Sequence, residues 1–81
     1  MRIRYFAWIK EITKKDDEVI DINHPKTLEE LKEHLVKLYP ELKKHFLKDV
    51  LRFAINQEYV SKNLNLKTID EVAIFPPVSG G

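Results

Sequence analysis

Apolar and polar positions alternate through the start of the chain. Ile3, Tyr5, Ala7 and Ile9 fall on one side and Arg2, Arg4, Phe6 and Trp8 on the other, a period of two that predicts a β-strand over residues 2–9. Lys10 to Asp17 is polar and reads as a connection. Glu18–Ile22 reads as a second strand, close enough to the first for an antiparallel hairpin, and Asn23-His24-Pro25 stops it. The period then changes. Leu28, Leu31, Leu35 and Leu38 recur at intervals of three and four and predict one apolar helix face. Thr27-Leu28-Glu29-Glu30 is a capping box, in which the Thr27 hydroxyl accepts from the Glu30 backbone and the Glu30 carboxylate reaches back. Tyr39-Pro40 ends the helix, because proline disfavours helical geometry at the residue before it. Glu41–Lys48 reads as a further short helix.

The second half is mainly strand. Leu51–Asn56 is one, with a turn at Gln57-Glu58 before Tyr59-Val60, and Ser61–Thr68 is a polar loop carrying two leucines. Asp70–Phe75 is the last strand. Val72 and Ile74 share one of its faces, leaving Glu71, Ala73 and Phe75 opposite. One amphipathic helix among these strands implies an α+β fold, a mixed sheet with the main helix on one face. The first and last strands can pair in parallel only across a crossover, and the helix is the element available for it. That is a β-grasp domain, expected over residues 1–76, with residues 77–81 as an extended C-terminal tail.

Composition narrows the function by exclusion. The 81 residues make one domain, and the charged residues (33%) are split evenly enough to leave a net charge of +1. Lysines are interspersed with acids, which gives no basic stripe for nucleic acid and no patch for anionic membrane. The N-terminus has too short an apolar run for a signal peptide, so the protein is expected to be cytoplasmic. There is no cysteine, which excludes disulfides, thiolate catalysis and cysteine-bound metal. His24, His34 and His45 do not have ligand spacing, so no metal site is expected. Asp16-Asp17-Glu18 reads as a solvated loop rather than a catalytic pair.

The glycines carry more information. There are two, and they are Gly80 and Gly81, the last residues of the sequence, although glycine is ordinarily about 7% of a chain. A frayed polar end would account for them but not for what precedes them. Pro76 and Pro77 supply no backbone donors, so they end the ladder of a central strand and stiffen the exit of the chain. From Pro77 to Gly81 an extended tail would reach about 16 Å at ~3.3 Å per residue. A stiff exit followed by two residues without side chains suits an end that enters a narrow active site, since glycine lets flanking backbone approach closely. The group offered there is the Gly81 carboxylate, inert until activated, typically as an acyl adenylate.

A second candidate site follows from strand phase. If the aliphatic residues of the first and last strands pack on the helix, Phe6, Trp8 and Phe75 point away from it, beside arginines and Glu71. A polar-rimmed aromatic patch on a small domain is a candidate partner interface. A covering loop, or a slip of one residue that exchanges the faces, would make these rings core instead.

Several stretches resemble one family. Asp70-Glu71-Val72-Ala73-Ile74-Phe75-Pro76-Pro77-Val78-Ser79-Gly80-Gly81 resembles the C-terminal signature of the small subunit of molybdopterin synthase (the MoaD family, ubiquitin-like). Phe6–Ile12 resembles its first strand and following turn, and Ala54–Val60 its central hairpin. Pro-Pro before the Gly-Gly end separates it from the related thiamine-pathway sulfur carriers. The resemblance implies that an adenylating (E1-like) activating enzyme uses ATP on Gly81 and that a sulfur donor converts it to a thiocarboxylate. It further implies that Pro77, Val78, Ser79, Gly80 and Gly81 insert into the large synthase subunit. There the sulfur passes to cyclic pyranopterin monophosphate during molybdenum cofactor biosynthesis. No cofactor is bound by the chain itself. The family's partner-facing positions fall on Phe6, Lys10, Tyr59 and Phe75. Catalytic residues would lie in the large subunit, so the chain alone is a sulfur-donating subunit and a sulfurtransferase only with its partner. Glycine is common in the family before Glu71 and after Ile12, and is missing from both places here. Two other functions share these features: a ubiquitin-like modifier joined through Gly81 to target lysines, and a plain interaction domain with an incidental Gly-Gly end.

Overall fold

The computed structural model describes residues 1–20 and 23–77. Its elements in chain order are β1 (Arg2–Tyr5), α1 (Ile9–Thr13), β2 (Asp17–Val19), α2 (Leu28–Leu38), α3 (Leu42–Leu47), β3 (Arg52–Ile55), β4 (Glu58–Val60) and β5 (Glu71–Phe75). The five strands form one mixed sheet in the order β2-β1-β5-β3-β4. At its centre β1 and β5 run parallel, with Ile3 opposite Val72 and Tyr5 opposite Ile74. The other pairings are antiparallel. The fold is the expected β-grasp, with first and last strands side by side and α2 between them in sequence.

The helix-covered face follows the alternation. Ile3, Tyr5, Val72 and Ile74 are almost completely buried, and Phe53 and Ile55 of β3 join them. Leu28, Leu31 and Leu35 of α2 close the same core cluster, with Leu42 of α3. Thr27 caps α2 as its spacing predicts, its hydroxyl accepting from the Glu30 backbone at 3.2 Å. The Glu30 carboxylate reaches back, where it accepts from the Thr27 hydroxyl at 3.4 Å instead of from the Thr27 backbone. Leu38 departs from the expected apolar face. It is 48% exposed, because the helix ends there and Tyr39 turns inward at its C-cap. The Tyr39 and Tyr5 hydroxyls both donate to the Glu18 carboxylate. This ties the end of α2 to the β1–β2 hairpin, and burial together with Glu18 pushes the Tyr5 hydroxyl well above its ordinary pKa.

The first strand is shorter than its alternation predicts. It stops at Tyr5, and Ala7 takes a left-handed φ of 54° that turns the chain off the sheet. The expected polar connection from Lys10 to Asp17 instead opens with α1, whose Ile9 and Thr13 are buried and whose Ile12 packs on the core. Ile9 satisfies both a period of two counted from Ile3 and a helical period shared with Ile12 and Thr13, so alternation alone extends the strand too far. β2 covers Asp17–Val19, and Asp21 and Ile22 of the expected second strand lie outside the described residues. The β3–β4 turn falls on Asn56 and Gln57, one residue earlier than expected. Both have positive φ (50° and 72°), as a tight two-residue hairpin turn requires.

With no interior glycine, left-handed positions fall to other residues: Ala7, Lys14, Asn23, Asp49, Asn56 and Gln57 among those described. A left-handed conformation costs a residue with a β-carbon roughly 1–2 kcal/mol, less for asparagine and aspartate. Compensation is visible at Asn56. Its side chain accepts from the Glu71 backbone at 2.9 Å and donates to Asp70 at 2.9 Å, while Asp70 also accepts from the Lys67 backbone at 2.7 Å. This network closes the turn entering β5 that has isoleucine where glycine is common.

Candidate functional site

The face of the sheet away from α2 is divided along the strands. Toward the start of β1 and β5 it is ionic. Arg2 pairs with Asp17, and Arg4 with Glu71 at 3.5 Å. These are exposed pairs screened by solvent, more a solvated surface than a stabilising core. Toward the exit of β5 the same face is aromatic.

Three elements build that aromatic end. Phe6 directly follows β1 and its backbone N–H donates to Ile74 at 3.2 Å, which sets it beside the last residue of β5. The Phe6 and Phe75 rings stack with centroids 4.6 Å apart and planes 12° apart. Tyr59 of β4 leans on Phe75 at 5.9 Å and is 76% exposed. The floor is small: Ala54 and Ala73 are paired across β3 and β5, and a cleft of about 200 Å³ opens above them between the rings. The Arg4 guanidinium lies 5.3 Å from the Phe6 ring centre, a cation–π contact at the border with the ionic half.

Beyond the rings lies an open apolar depression of about 710 Å³. Phe6, Tyr59 and Phe75 form one wall, and Pro76 and Pro77 run along it as the chain leaves β5. Arg52, Ala7, Val60 and Ser61 complete it. The aromatic patch and the root of the tail are therefore one surface.

Of the positions expected from sequence, Phe6, Tyr59, Phe75 and Pro77 meet here. Lys10 does not line the depression; it sits exposed on α1 and pairs with Asp16 at 3.5 Å. Trp8 is a correction. It was expected on the open face, but the turn at Ala7 carries it to the start of α1, where its ring meets His45 of α3 at 4.7 Å. His45 is half-buried there, and partial desolvation together with neighbouring Lys44 and Lys48 holds it below the usual histidine pKa. Val78, Ser79, Gly80 and Gly81 lie outside the described residues. Arg52 is a lining residue that sequence reasoning passed over. The available signal was phase, since Arg52 and Ala54 alternate with the core residues Phe53 and Ile55.

Among the described residues no group of three or more His, Asp or Glu side chains is gathered as if to hold a metal. No described helix is long and apolar enough to cross a membrane.

Known proteins share this plan. The chain matches the ThiS family over residues 3–81. The molybdopterin synthase sulfur carrier subunit of Dictyostelium discoideum is 39% identical over 83 residues, covering 99% of this chain and 94% of that protein. Among solved structures, SAMP1 from Haloferax volcanii superposes with a TM-score of 0.79 at 27% identity, covering 99% of this chain and 97% of that one. A chain from the complex of subunits 1 and 2 of molybdopterin-converting factor from Helicobacter pylori 26695 superposes at 0.66 with 26% identity, covering 99% and 96%. The chain belongs to the ThiS family, as a ubiquitin-like β-grasp protein related to the molybdopterin synthase sulfur carrier subunits.

Proposed function

We propose that this chain is the sulfur carrier of a molybdopterin synthase and that its working group is the Gly81 carboxylate. The observation that carries the proposal is the stacked Phe6–Phe75 pair set against Pro76-Pro77, which puts exposed aromatic surface where the tail leaves the sheet. A partner that covers the patch is thereby positioned to receive the tail. The related carrier subunits, and the solved complex of the two converting-factor subunits, support the large synthase subunit as that partner.

The chemistry follows from what the chain lacks. A carboxylate is a poor electrophile, so an activating enzyme first joins it to the α-phosphate of ATP and releases pyrophosphate. A sulfur donor then displaces AMP and leaves a thiocarboxylate. With no cysteine in the chain, this terminal sulfur is its only nucleophilic sulfur besides the weak thioether of Met1. Residues 77–81 carry it into the large subunit, where it passes to cyclic pyranopterin monophosphate. The carrier contributes binding and delivery, and the catalytic residues belong to the partner.

Deleting Gly81, or adding one residue after it, is expected to abolish sulfur transfer in a synthase reconstituted with ATP, activating enzyme and large subunit, while the domain still folds. Undiminished transfer by either variant contradicts the proposal. The likeness to SAMP1, a small archaeal modifier protein, favours a second reading, conjugation of Gly81 to target lysines. Target lysines bearing the peptide of residues 68–81 after tryptic cleavage at Lys67 in host extracts would support it.

A further inference from the structure

The cations of the open face are not equivalent. Arg2 and Arg4 are each neutralised by a carboxylate on the same face. Arg52 is paired with no carboxylate among the described residues. Its guanidinium instead donates through one terminal nitrogen to two backbone carbonyls, Asp49 at 2.9 Å and Leu51 at 3.3 Å. Those bonds use one terminal nitrogen, and among the described residues neither Nε nor the other terminal nitrogen has a hydrogen-bond partner. Across the β3–β5 ladder Arg52 stands opposite Phe75, and the residue lines the apolar depression together with Pro76 and Pro77.

We infer that Arg52 is a specificity-determining contact, pairing with a carboxylate side chain on the protein that covers the aromatic patch. The inference rests on the sulfur-carrier proposal, since it concerns the large subunit bound to the same surface. A cation held at the edge of an apolar contact gains a charge-assisted, two-pronged bond if the partner supplies a carboxylate there, and suppresses partners that present a cation. Nucleotide phosphate is a poorer match. Activation takes place at Gly81, and an extended tail puts that residue about 16 Å from its root, at ~3.3 Å per residue. Lysine would keep the charge but not the planar fork, so the two cations are separable by experiment.

The test is calorimetric titration of the large subunit of the host's molybdopterin synthase with the unsubstituted chain and with Arg52→Lys, Arg52→Ala, Arg52→Glu and Phe75→Ala, each at low and high salt. Arg52→Glu is expected to weaken binding by about tenfold or more and Arg52→Ala by less, with Arg52→Lys between Ala and the unsubstituted chain. The salt dependence of the dissociation constant is expected to fall for Arg52→Ala, a readout that lost packing alone would not move. Unchanged affinity and salt dependence in all three Arg52 variants, with Phe75→Ala still weakened, overturns the inference and leaves the carrier proposal standing. No binding by the unsubstituted chain overturns both.

Discussion

The two faces of this one sheet are made from the same strands and have opposite lives. On the covered face Ile3, Tyr5, Phe53, Val72 and Ile74 meet the leucines of α2 and are out of water. On the open face Phe6, Tyr59 and Phe75 gather over Ala54 and Ala73 and remain accessible, ringed by Arg4, Glu71 and Arg52. Strand alternation supplies both at once, so a domain of this size needs no extra element to present a binding surface. The lesson is that large apolar residues on a small sheet have two distinct uses, separated by a single step in sequence. Those on the covered face set the stability of the fold, and those on the open face set what the fold can hold.

The largest expected effect lies on the covered side. Leu31→Ala or Leu35→Ala should cost about 2–5 kcal/mol of folding free energy in denaturant unfolding, from lost burial plus the cavity left behind. Phe6→Ala and Phe75→Ala should reverse the pattern. Each is expected to weaken binding to the large subunit by about 2 kcal/mol, roughly a thirtyfold rise in dissociation constant, while destabilising the isolated domain much less than the leucine variants. If the phenylalanine variants unfold the domain as badly as the leucine ones, the two faces do not differ as described. The smallest effect tests where the open face ends. Ala7→Gly should raise unfolding stability by about 0.5–1 kcal/mol, because relief of the left-handed strain exceeds the extra freedom glycine has when unfolded. A loss of stability would mean that the chain does not turn there as described.

Residue by residue, legibility in the sequence tracks how local the signal is. The phase of β5 and of all four residues of β1 was plain, because a period of two needs only neighbours. Thr27 was equally plain as a cap, since the contact spans three residues. Trp8 was misplaced for a specific reason. Ala7 adopts a conformation usually marked by glycine, and nothing in an alanine announces it. The same absence of glycine shifted the β3–β4 turn by one residue, onto Asn56 and Gln57. Leu38 obeys the helical spacing yet faces water, because the helix ends beneath it and Tyr39 takes the inward position. Arg52 was overlooked because its significance is positional. An exposed arginine is ordinary until the ladder sets it opposite Phe75 and beside the prolines. The tail is the reverse case: Pro76-Pro77 and Gly80-Gly81 point to an offered carboxylate, its sulfur chemistry rests on the family resemblance, and residues 78–81 lie outside the described residues.

The central claim is that Gly81 carries sulfur, and intact-mass spectrometry of the chain purified from its native host addresses it most directly. The account predicts a fraction heavier by the difference between one sulfur and one oxygen, with the change confined by fragmentation to Gly81 and lost on mild hydrolysis. A chain carrying only the ordinary carboxylate, in cells that hold the activating enzyme and sulfur donor but have transfer blocked by removal of the large subunit, would contradict it.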